Sequence, residues 1–141
     1  MKNEKKETPI FCCGCNKEVN AYLVYGGVVY PHFLKLRTVP FWRCPTCLNF
    51  VGCHHKTKNP LRPLGVIPTP KIRDLRRKIH DEMDFILHAK RDDKFAKAKL
   101  YNWLSKKMGF DYHTALIRTI EDGEKALRLV IKVKERVWNK S

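Results

Sequence analysis

Two cysteine pairs of the form C-x-x-C, Cys12-Cys13-Gly14-Cys15 and Cys44-Pro45-Thr46-Cys47, constrain the fold of this chain more than any other feature. Two intervening residues let the backbone wrap so that both thiolates of a pair point at one ion. Two such knuckles close a tetrahedral thiolate shell of the kind Zn²⁺ takes. With four thiolates in place no position is left for water, so the expected ion holds the fold and does not catalyse. An iron–sulfur cluster uses the same ligands and is the rival occupant. All 6 cysteines fall within the first 53 residues. Their even number permits disulfides, but the charged N-terminus from Met1 to Glu7 leads into no apolar signal segment. The expected compartment is therefore cytoplasmic, where thiols stay reduced. The apolar runs are far too short for a bilayer span, so no membrane association is expected.

The 28 residues between the knuckles read as β structure. Ala21 to Tyr25 is rich in strand formers, Gly26-Gly27 suggests a turn, and Val28 to Tyr30 suggests a second strand. Phe41 to Arg43 leads into the second knuckle, and Leu48 to Val51 leaves it as another short strand. Together these predict a flexible N-terminus over 1–9 and a four-cysteine zinc ribbon over 10–56. The run Cys53-His54-His55 admits two readings: part of a second metal site, or a buried thiol followed by two polar histidines.

Residues 57–70 hold Pro60, Pro63, Pro68, Pro70 and Gly65, and predict a linker or an extended wrap without regular structure. Beyond it, Ile72, Leu75, Ile79, Met83 and Ile86 recur at spacings of three and four, the apolar stripe of a helix over Lys71 to Lys90. A second helix is expected from Asp92 to Met108, stopped by Gly109. A third is expected from Glu121 to Trp138, with acids early and bases late as the helix dipole favours. The predicted fold class is α+β: an N-terminal zinc ribbon followed by a small three-helix module over 71–141.

Charge supplies the first functional argument. Lys and Arg number 29 against 14 Asp and Glu, a formal net charge of +15. By position the net is +4 over 1–55 (7 basic, 3 acidic), +9 over 56–107 (15 and 6) and +2 over 108–141 (7 and 5). Such an excess favours polyanions, nucleic acid foremost. Arg73, Arg76, Arg77 and Lys78 on the first helix, with Lys94 and Lys97 on the second, are the expected phosphate contacts. Tyr25 and Lys35 are possible auxiliaries. His80 and Asp84, one turn apart, read either as a hydrogen-bonded structural pair or, with His54 and His55, as ligands of a nuclease metal. No catalytic residue is assigned.

The chain also resembles the small zinc-finger-containing proteins of bacteria and phages. The resemblance rests on Cys12-x-x-Cys15, Val29-Tyr30-Pro31-His32, Phe41-Trp42-Arg43-Cys44-Pro45-x-Cys47 and Val51-Gly52-Cys53-His54. It continues through Pro63-Leu64-Gly65, Ile72-Arg73-x-x-Arg76-x-x-x-His80-x-x-Met83-Asp84, Tyr101-x-Trp103-Leu104 and His113. The chain departs from the family at Met83, at Leu87 and at Thr114-Ala115, where Phe, Trp and Ile-Gly are usual. The resemblance implies a zinc-binding N-terminal part and a cytoplasmic, often phage-associated setting. It marks His32, His54, His80 and Asp84 as a polar cluster that a zinc ribbon alone does not require. Two further partners then come into view: a host protein or ribonucleoprotein bound by the chain as an inhibitor or adaptor (an anti-CRISPR, for example), and the substrate of a metal-dependent nuclease.

Overall fold

The structure, a computed structural model, describes residues 6–139 of the chain. They fall into two compact units that divide between Pro70 and Lys71.

The first unit is built on an antiparallel sheet in the order β1 (Glu7–Cys12), β2 (Lys17–Tyr25), β3 (Pro40–Arg43), β4 (Phe50–Gly52). Residues 1–5 of the expected flexible tail lie outside the described chain, but Glu7, Thr8 and Pro9 belong to β1 and pair with Tyr22, Ala21 and Asn20. Pro9 is compatible with that strand because β1 is an edge strand. Strand alternation turns Ile10 and Cys12 of β1, and Val19 and Ala21 of β2, into a core completed by Trp42, Cys44, Val51, Cys53 and Ile67.

The expected second strand at Val28–Tyr30 is replaced by a helical turn, α1 (Gly26–Val29), and a 3₁₀ turn at Leu34–Leu36. The Tyr30 amide donates back to the Gly26 carbonyl at 2.7 Å, and the Gly26 amide donates to Val39 O at 2.9 Å. Residues 26–39 thus form a closed surface loop, and β2 pairs with β3 in place of the expected strand. Glycine is required at its neck: a Cβ on Gly26 would stand 1.8 Å from the Leu36 carbonyl oxygen.

The proline-rich segment lies as an extended wrap against the sheet. Leu64 N–H donates to Gly52 O on one sheet edge, while Ile67 N–H donates to Phe11 O on the other, each at 2.9 Å. Trp42 Nε1 donates to Leu61 O at 2.7 Å, and Val66, Ile67 and Pro68 are buried. The prolines forbid a continuous ladder, but the Leu64 and Ile67 amides reach acceptors that the two edge strands leave open.

The second unit holds three long helices, α2 (Pro70–Ala89), α3 (Ala96–Met108) and α4 (Ile120–Asn139). All five residues of the α2 stripe are buried. α3 starts later than the sequence suggests, because the Asp93 carboxylate accepts the Phe95 amide at 2.9 Å and holds residues 93–95 as a turn. Gly109 ends α3 in the left-handed region at φ +86°. Gly123 lets α4 approach α2: a Cβ there would lie 2.9 Å from Leu75 Cδ1. Buried Tyr112 shares a hydrogen bond with Thr114 Oγ1 at 2.9 Å and sets its ring 5.8 Å from that of Tyr101 on α3.

Candidate metal centre

Each β-hairpin of the first unit turns through a knuckle, Cys12–Cys15 between β1 and β2 and Cys44–Cys47 between β3 and β4. The two turns share one device. The residue after the second cysteine, Asn16 in one and Leu48 in the other, is left-handed, at φ +56° and +66°. In the second knuckle Leu48 N–H donates to Cys44 O at 3.1 Å, and the reversal at Leu48 then brings Asn49 O to accept from Cys44 N–H at 2.8 Å. Gly14 lets the knuckles close on one another, since a Cβ would come within 2.8 Å of Asn49 Nδ2 and 3.3 Å of Cys47 Sγ.

The four sulfur atoms of Cys12, Cys15, Cys44 and Cys47 lie within 4.8 Å of one another. Cys12–Cys47 and Cys15–Cys44 stand 3.4 and 3.6 Å apart. A regular tetrahedron with metal–sulfur bonds of ~2.3 Å has edges of about 3.8 Å, so these separations fit a single zinc ion. They are far longer than a disulfide bond of ~2.05 Å, and all six cysteines are free thiols. Cys12 and Cys44 are fully buried, whereas Cys15 and Cys47 are partly exposed.

Without the ion, burial pushes the Cys12 thiol up to about 12, with further raising from the neighbouring Cys47 and Cys44 sulfurs. Burial acts in the same direction on Cys44, but hydrogen bonds from the Cys47 and Thr46 amides outweigh it and bring that thiol down to about 7. Amide donors in a knuckle stabilise thiolate, the form that binds metal. Zinc supplies the charge that lets the remaining sulfurs ionise at neutral pH.

The four-sulfur group includes neither Cys13 nor Cys53. Cys53 is buried, its thiol pushed up to about 11 by that burial, and its backbone bridges to Pro63. His54 is half-buried, and exposed His55 points Nδ1 toward Cys53 O at 3.4 Å. Among the described residues of each unit, no other three His, Cys, Asp or Glu side chains gather as ligands. His80 and Asp84 are both exposed on α2, with no hydrogen bond between them, and His32 is exposed on the loop.

The predicted phosphate contacts divide into two groups. Arg77 binds Asp74 at 2.6 Å and Asp81 at 3.6 Å, and Lys78 binds Asp74 at 3.1 Å. Arg76 Nη2 donates to Ile117 O at 2.9 Å, and Arg73 is half-buried. Lys94 and Lys97 are exposed, with Lys94 Nζ 5.1 Å from the centre of the Phe95 ring. Arg76, Arg77 and Lys78 are thus engaged within the helical unit, whereas Lys94, in the turn before α3, and Lys97, on α3, face solvent.

Two hairpins, each turning through a C-x-x-C knuckle so that four thiols face one point, define a zinc finger of the four-cysteine ribbon class. The model of the zinc-finger-containing domain family matches residues 8–137, and the chain belongs to that family. No curated protein and no solved structure matches the chain. No helix among the described residues is long and apolar enough to cross a membrane.

Proposed function

We propose that this zinc finger is a nucleic-acid-binding module whose fold is held by one zinc ion and whose affinity is set by phosphate contacts. The supporting observation is a gap in the sequence that charge averages conceal: between Glu18 and Asp74 there is no acidic residue. The same stretch carries Lys35, Arg37, Arg43, Lys56, Lys58, Arg62, Lys71 and Arg73. Near a surface, carboxylates normally neutralise neighbouring bases, as Asp74 and Asp81 do on α2. In the zinc unit Lys35, Arg37, Lys56, Lys58 and Arg62 are exposed and, among the described residues, make no ion pair. An uncompensated basic surface that keeps its shape is what a polyanion needs. Lys94 and Lys97 extend the same chemistry to the helical unit. Arg77 and Lys78 contribute less, because each must first exchange a carboxylate for a phosphate.

The test is binding of a fluorescent oligonucleotide to the zinc-loaded chain at graded salt. With about four cations engaged on a single strand, affinity falls roughly 50-fold between 50 and 200 mM salt, through counterion release. A flat salt response, or no binding at 50 mM salt, would contradict the proposal and favour a protein partner.

A further inference from the structure

The loop over 26–39 is the most apolar exposed part of the zinc unit. Val28, Phe33 and Leu34 are 55, 61 and 73 % exposed. They share the loop with His32, Lys35 and Arg37, and no acidic residue lies on it. Its shape is fixed from within. Phe33 N–H donates to Tyr30 O at 3.0 Å, Leu36 N–H to Phe33 O at 2.9 Å, and Val39 N–H to Leu36 O at 2.9 Å. The Tyr30 ring meets Phe33, Phe41 and Phe50 edge-on, with centroids 6.0, 5.7 and 5.3 Å away. Phe33 is therefore held on one side by Tyr30 while most of its surface faces solvent. It borders an open concavity of about 590 Å³ lined by residues 32–36.

Exposed aromatic and aliphatic side chains held in a rigid loop among unpaired cations need an occupant that is both anionic and apolar. A nucleic-acid duplex presents phosphates outside and hides the faces of its bases in the stack. An unpaired strand alternates phosphates with open base faces, and every base has such a face. We infer that the loop is a single-strand binding site: Phe33, backed by Tyr30, stacks on an unpaired base of DNA or RNA while Lys35 and Arg37 contact the flanking phosphates. The inference rests on the nucleic-acid reading and specifies its substrate.

The experiment measures the zinc-loaded full chain by fluorescence anisotropy, with oligo-dT, oligo-U and a mixed-sequence duplex of equal length at one salt concentration. The expected result is tighter binding of a single strand than of the duplex, with the dT and U arms showing which sugar is preferred. Phe33→Ala and Phe33→Leu should each lower single-strand affinity about tenfold and leave duplex binding nearly unchanged, whereas Phe33→Trp restores it. Leucine keeps apolar bulk but has no ring face, so equal binding by Phe33→Leu and wild type would overturn stacking. Should Phe33→Ala misfold, as judged by lost zinc, the Leu and Trp variants decide. Salt-dependent binding that ignores Phe33, or that prefers the duplex, overturns the inference and leaves the nucleic-acid reading standing. No binding to any of the three probes overturns both.

Discussion

At Leu48 the chain holds a branched residue at φ +66°, a region that costs an L-amino acid roughly 1–2 kcal/mol. The knuckle imposes that angle, because once Leu48 N–H has bonded Cys44 O the chain must reverse at Leu48 for Asn49 O to accept from Cys44 N–H. Its side chain is half exposed, so little packing is lost with it. Leu48→Gly should therefore keep or raise stability by about 1 kcal/mol, measured as resistance of the bound metal to a competing chelator. A loss of 2 kcal/mol or more would show that the leucine is held for its contacts. This residue also marks a limit of the sequence. C-x-x-C spacing shows that a turn must occur, but leucine is the last residue one would choose to mark a left-handed position, and Leu48–Val51 read naturally as a strand. Asn16, a residue that tolerates this region, performs the same step openly in the first knuckle.

Among the elements, the segment from Leu61 to Pro68 does most to join parts of the zinc unit, since it binds both sheet edges and caps Trp42. Ile67 is fully buried beside Cys12. Ile67→Ala should cost about 2–5 kcal/mol and hasten metal loss, read by thermal melting with and without chelator. A change below 1 kcal/mol would return the segment to the status of a linker. Its role was hidden because its ordering comes from the tertiary acceptors Phe11 O and Gly52 O, which no local pattern reveals. β1 was hidden for a related reason: its charged start and Pro9 resemble a tail until β2 is placed alongside. The loop over 26–39 misled through Gly26-Gly27, a hairpin signal whose glycine serves instead to admit the Leu36 carbonyl. By contrast α2, Gly109 and the four ligands were legible, because 3.6-residue periodicity, a left-handed stop and ligand spacing are local rules. A count of cations cannot show which of them are paired: Asp74 and Asp81 occupy Arg77 and Lys78, whereas Lys35, Arg37, Lys56, Lys58 and Arg62 lie in a stretch without acids.

For the whole molecule, the account ties shape to one ion and function to charge. Zinc binds thiolates, so affinity rises with pH and is lost on acidification. Cys12 stands at about 12 without metal and Cys15 is also raised, chiefly by its hydrogen bond with Cys44. At pH 7 both therefore carry protons that zinc must displace. With at least two protons released, apparent affinity should fall about a hundredfold per unit between pH 7 and 6, measured by competition with a chromophoric chelator. A tenfold slope or less would mean that the thiols are already ionised in the free chain. The most direct test of the central claim is elemental analysis of the freshly purified, untreated chain, paired with a thiol count after denaturation in chelator. One zinc per chain, no iron and six free thiols are expected; an absence of metal, an iron–sulfur chromophore, or thiols lost to disulfides would contradict a fold held by zinc.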